Sequence, residues 1–126
     1  MNRGVWILIL AVLLIGSLIG AQIYVDNTID TLSAKTKTLQ AAISDGNKPK
    51  SITTAESIEK FWGKHQVYLT AILDHNEIEE IGKQINLVLS HLRADDLASA
   101  LVECNALLYQ AETSIAIFRF DFQNIL

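Results

Sequence analysis

The first pattern along the chain is an apolar run, VWILILAVLLIGSLIGAQIYV, from Val5 to Val25, with no charged residue. At ~1.5 Å rise per residue a helix of this length covers ~31 Å, enough to cross a hydrocarbon core of ~30 Å. Its only polar residues are Ser17, Gln22 and Tyr24, the last two where head groups begin. The run predicts a transmembrane helix over 5–25 behind a short cytoplasmic tail, residues 1–4. A cleaved signal peptide fits less well, because its apolar core is shorter, roughly 7–15 residues. A cut after Ala21 or Gly20 would also put Ile19 or Leu18 where a small residue is wanted. The expectation is a retained signal anchor.

Beyond the run the spacing changes from continuous to periodic. Ile29, Leu32, Leu39 and Ile43, with Thr36 filling the gap, repeat at three-four spacing along one stripe. This predicts a juxtamembrane helix over 26–45. Asp26 and Asn27 are poor helix breakers, so it is free to continue the first helix. Its stripe is thin and its threonines lower its propensity, so it needs a partner. The segment SDGNKPKS, with Gly46, Asn47 and Pro49, predicts a loop over 46–53. Thr53 and Glu56 have the spacing of a capping box for the next helix.

That helix carries a wide apolar face of Ile58, Phe61, Trp62, His65, Leu69, Ile72 and Leu73. Phe61 and Trp62 are the expected centre of the core, with Gly63 beside them for a close helix approach. Around Asp74–Asn76 the pattern softens without a glycine or proline. Ile78, Ile81, Ile85, Val88 and Leu92 then resume it. Two helices, or one kinked helix, fit this stretch. After Asp95-Asp96 a heptad-like stripe runs to the end: Leu97, Leu101, Cys104, Leu108, Ala111, Ile115, Phe118, Phe122 and Ile125. The expected fold is all-α: one transmembrane helix, then a small antiparallel helical bundle or hairpin over 54–126 with coiled-coil character. Its expected core residues are Phe61, Trp62, Leu69, Ile81, Ile85, Leu101, Leu108, Ile115 and Phe118.

Charge sets the orientation and removes some partners. Arg3 and the amino terminus precede the apolar run, while Asp26 and Asp30 follow it. The positive-inside rule then puts the amino end in the cytoplasm and the rest outside, at a plasma membrane. Residues 26–126 hold nine Lys or Arg against fourteen Asp or Glu, a net charge of −5. From Asp74 onward the balance is three basic against nine acidic. Nucleic acid is excluded as a partner, since phosphate binding needs a basic footprint. The lone Cys104 cannot form an internal disulfide.

Few residues offer chemistry. His75 and Glu79 share a helix face at i, i+4 and are weak metal candidates, with Glu80, His65 and His91 the only further ligands to consider. Capping or hydrogen bonding is the expected role of His75. Cys104 lies on an apolar stripe, as a buried structural thiol does. Asp95, Asp96 and Glu103 would serve as glycosidase acids only in a cleft that a slim bundle rarely forms. No cofactor is expected. Phe118, Phe122 and Asn124-Ile125-Leu126 read as core, or as an apolar end that docks a partner.

The assembled layout resembles the small membrane-anchored helical proteins of Firmicutes gathered as domain of unknown function four-three-six-three. The resemblance rests on Trp62, on Asp74-His75, on Glu77 to Ile81 and on Asn124-Ile125 near the carboxyl end. It implies an outer domain facing the cell wall and brings no activity, substrate or cofactor. The expected function is a membrane-anchored extracytoplasmic interaction or structural module. Its partners would be the bilayer through 5–25 and a protein, or a second copy, through the apolar stripes. The alternative is a small ligand- or metal-binding protein, or weak hydrolase, using His75 and nearby carboxylates.

Overall fold

A computed structural model describes residues 2–125, with side chains over 2–114. It contains four helices: α1 (Arg3–Ser44), α2 (Lys48–Ile72), α3 (His75–Arg93) and α4 (Leu97–Ile125). Among the described residues there is no strand. Each helix packs on its neighbours in the chain, and α4 closes the ring against α1. Short links between such neighbours make an antiparallel four-helix bundle.

The apolar run and the juxtamembrane helix are one element. At ~1.5 Å per residue α1 is ~63 Å long. It divides into two parts by burial. Residues 2–20 are exposed throughout, whereas Val25, Ile29, Leu32, Thr36, Leu39 and Ile43 are buried. The first part is long and apolar enough to cross a membrane. The second is one wall of the bundle, which supplies the partner that its thin stripe requires. The threonines do not break it. Thr28, Thr31, Thr36 and Thr38 each donate their hydroxyl to the carbonyl four residues back.

The α1–α2 link is shorter than the predicted 46–53 loop. Gly46 adopts φ 71°, and the amides of Gly46 and Asn47 close back on the carbonyls of Ile43 and Ala42. This paired closure satisfies the last carbonyls of α1 and needs the left-handed backbone that glycine accepts. Asn47 then caps α2, its side chain accepting from the Lys50 amide. Pro49 does not interrupt the helix. It sits in the first turn, where no intrahelical N–H is required. The expected capping box is absent, because Thr53 lies inside α2 and donates to the Pro49 carbonyl.

The α3–α4 link repeats the same closure with Asp95 at φ 61°, where α1–α2 has glycine. The Asp95 and Asp96 amides bond to the carbonyls of Leu92 and His91. Asp96 caps α4 through the Ser99 amide. At the other end of the bundle α2 and α3 are separate helices. Extended Leu73 ends α2, and Asp74 caps α3 by accepting from the Asn76 amide.

The core runs the length of the bundle and includes Ile58, Trp62 and Leu69 from α2 and Ile78, Ile81, Ile85, Val88 and Leu92 from α3. Trp62 is buried in the core, and half-buried Phe61 packs against it from the edge. Gly63 is exposed and nothing approaches it. The close approach is at Gly82, where an added Cβ would stand 3.5 Å from the Trp62 indole nitrogen. On α4 the buried positions are Ala100, Cys104, Leu107, Ala111 and Ser114. Leu97, Leu101 and Leu108, expected to face inward, are half-buried beside them. Ile115, Phe118, Phe122 and the terminal Asn124-Ile125-Leu126 lie outside the described side chains.

Candidate functional site

The three histidines are not brought together. His75 opens α3 in solvent, and its Nε2 stands 3.9 Å from Glu79 Oε2, with the two side chains 67% and 56% exposed. The cap that His75 was expected to supply belongs to Asp74. Glu80 faces Lys83 across 4.0 Å. His91 lies in the last turn of α3 at the opposite end of the bundle. Among the described residues no group of three or more His, Cys, Asp or Glu is placed to hold a metal ion.

The other carboxylates are separated as well. Asp95 meets Lys48 at 3.2 Å, while Asp96 is occupied by its cap. The Ser99 hydroxyl and amide hold the Asp96 carboxyl below its ordinary range. Glu103 accepts from the Gln84 amide at 2.6 Å, two turns further along α4. No two of these acids face one another across a cleft.

Cys104 is fully buried between α1 and α4, with its thiol donating to the Thr36 carbonyl at 3.6 Å. Burial pushes the thiol from its ordinary 9.0 up to about 12. The raised value means that the neutral thiol stabilises the fold below pH ~9, and that this contribution falls as pH climbs toward 12. Cys104 is therefore expected to resist thiol reagents at pH 8 in the folded full-length protein and to react fully in denaturant. Rapid labelling without denaturant would place it at the surface.

One polar constellation was not visible in the sequence. The Tyr24 hydroxyl of α1 hydrogen-bonds His65 Nδ1 of α2 at 2.8 Å. The Phe61 ring lies 4.6 Å from the imidazole, and Lys35 Nζ stands 5.6 Å above the Phe61 ring. The pair joins residues 41 positions apart, and no periodic pattern reports such a pairing. The only available signals were a tyrosine ending the apolar run and a histidine on an apolar face. The hydrogen bond and the ring contacts tie α1 to α2.

Two of the surface depressions flank α3. One, of about 240 Å³, lies between α3 and α4 against Glu77, Glu80, Tyr109 and Gln110. The other, of about 190 Å³, lies between α2 and α3 beside Trp62, Gly63 and Gly82. Neither gathers a reactive set. The bundle core itself carries the organisation of this chain.

A family model described as "Domain of unknown function (DUF4363)" matches residues 19–125. The chain belongs to the DUF4363 family. The matched segment starts near the point where α1 passes from exposed to buried, so the DUF4363 region coincides with the four-helix bundle. No curated protein and no solved structure matches the chain.

Proposed function

We propose that this DUF4363 protein is a single-pass, membrane-anchored interaction or structural module whose bundle stands outside the plasma membrane. The observation that carries the reading is α1. It runs unbroken from a fully exposed apolar segment into the wall of the core. An apolar surface of that length is costly in water and stable in lipid. Arg3 before it, with Asp26 and Asp30 after it, favours a cytoplasmic amino end. The apolar segment enters the bundle wall within one helix, with no linker between them. The ligand-binding or hydrolase alternative gains no support, since His75 and Glu79 are exposed and, among the described residues, no group of three or more His, Cys, Asp or Glu is placed to hold a metal ion.

Topology is the direct test. The mature chain is expected to retain residues 5–25 by mass spectrometry, and a reporter fused after Leu126 is expected to be active only outside the cytoplasm. A mature amino terminus near Gln22, or a reporter active only in the cytoplasm, would overturn the corresponding part.

A further inference from the structure

We infer that the membrane-proximal edge between α1 and α2 is seated in the interfacial layer of the bilayer, with Val67, Tyr68 and Ala71 against lipid. This rests on the anchor reading above and adds a second contact with the same membrane.

The first argument is length. Val5 to Gly20, the part of the apolar run that stands free of the bundle, covers ~24 Å as a helix. A hydrocarbon core is ~30 Å thick, and tilting the helix makes the shortfall larger. The missing ~6 Å corresponds to residues 21–24, where α1 is already entering the bundle. Ala21, Gln22 and Tyr24 are half-buried, and Val25 is fully buried. Whatever packs on α1 at that level shares its depth.

The second argument is what lies there. The Tyr24 ring meets the Tyr68 ring at 6.4 Å and His65 at 5.8 Å. The end of α2 therefore stands level with the end of the apolar run. Among its outward side chains Val67 is 69% exposed and Tyr68 64%, alongside exposed Gln66 and Thr70, and Ile23 on α1 is 55% exposed. Tyr24, Val67, Tyr68, Ala71 and Ile72 line an open apolar depression of about 550 Å³. Outside this edge and the free part of α1, the exposed large apolar side chains described are Leu87, Val102 and Tyr109, on α3 and α4.

The third argument is charge. Lys64 and Lys60 are exposed one and two turns above Tyr68 on α2. Tyrosine at the interface with lysines reaching up to lipid phosphates is the pattern of a membrane boundary. The acids that open α3, Glu79 and Glu80 among them, lie on the helix that packs on α2 and α4. Asp74, which caps α3 just past Ile72 at this same end, is exposed as well, so the seat requires the bundle to lean toward the α1–α2 edge and keep these acids in water.

The test uses the full-length protein in vesicles of phosphatidylcholine and phosphatidylglycerol. Single cysteines at Ile9→Cys, Val67→Cys and Val102→Cys carry an environment-sensitive fluorophore, while buried Cys104 stays unlabelled. Brominated lipid chains are expected to quench the labels at residues 9 and 67 and to leave the label at 102 bright. Quenching at 9 but not at 67 would overturn the seated edge and leave the anchor standing. Self-quenching at 67 between copies, without lipid quenching, would overturn it in favour of a second copy of the chain. No quenching at residue 9 would overturn the anchor and the seated edge together.

Discussion

Replacing Trp62 by alanine is expected to destabilise the bundle by about 3–5 kcal/mol, the range for removing a large buried aromatic side chain. Trp62 is 3% exposed and stands between α2 and α3, with its indole edge beside Gly82. The cavity cannot collapse easily, because helices on both sides are fixed by Ile58, Leu69, Ile81 and Ile85. A loss of that size is a large share of the 5–15 kcal/mol typical of a domain. Denaturant unfolding of the full-length chain in detergent, followed by far-ultraviolet dichroism, measures it. Adding Trp62→Phe separates volume from hydrogen bonding. The indole nitrogen has no acceptor among the described residues, so phenylalanine should retain most of the stability. A change below ~1 kcal/mol for alanine would contradict the packing of this side chain.

How much of this could be read from the residues depended on how many neighbours each helix has and of what size. The stripes of α1 and α3 were legible because their buried residues are large and regularly spaced. Ile29, Leu32, Leu39 and Ile43, and Ile78 through Leu92, are buried where the periodicity puts them. On α4 the pattern favoured the larger side chains Leu101 and Leu108. That helix contacts both α1 and α3, and the buried line between them keeps Cys104 and Ala111 of the expected stripe but takes Ala100 and Leu107 in place of Leu101 and Leu108. Small residues allow α4 to settle close to two helices at once, and Leu97 and Leu101 pack against the core from its edge. Pro49 misled for a local reason. A proline that ends one helix and a proline that begins the next differ only in where the cap falls, and here Asn47 is the cap. The Tyr24–His65 contact was beyond reach, since it depends on how far α2 runs back along α1. Among the candidate reactive residues, the sequence could propose His75 with Glu79 by spacing. It could not show that both would remain in solvent.

The second large effect concerns where the folding unit begins. A fragment of residues 46–126 is expected to lose cooperative unfolding, whereas residues 21–126 are expected to keep it. The periodic pattern suggested a bundle complete over 54–126, with the juxtamembrane helix outside it. In the structure α1 supplies Val25, Ile29, Leu32, Leu39 and Ile43 to the core. Burying side chains of this kind contributes about 1.5–3 kcal/mol each. Five of them reach the order of 10 kcal/mol, comparable with the whole stability of a small domain. Removing α1 also exposes the face of α4 that carries Cys104 and Leu107, and it removes the Thr36 carbonyl that accepts the buried thiol. Thermal melts of the two fragments, with thiol labelling of Cys104 as a second readout, decide the matter. In residues 21–126 the thiol should stay protected until the melt, and in 46–126 it should react at once. Equal midpoints with a protected thiol in both would mean that three helices suffice and that α1 is only a tether. Loss of the melt in the shorter fragment alone makes the apolar helix and the DUF4363 bundle one structure, with the last residue of the apolar run, Val25, serving as the first element of the core.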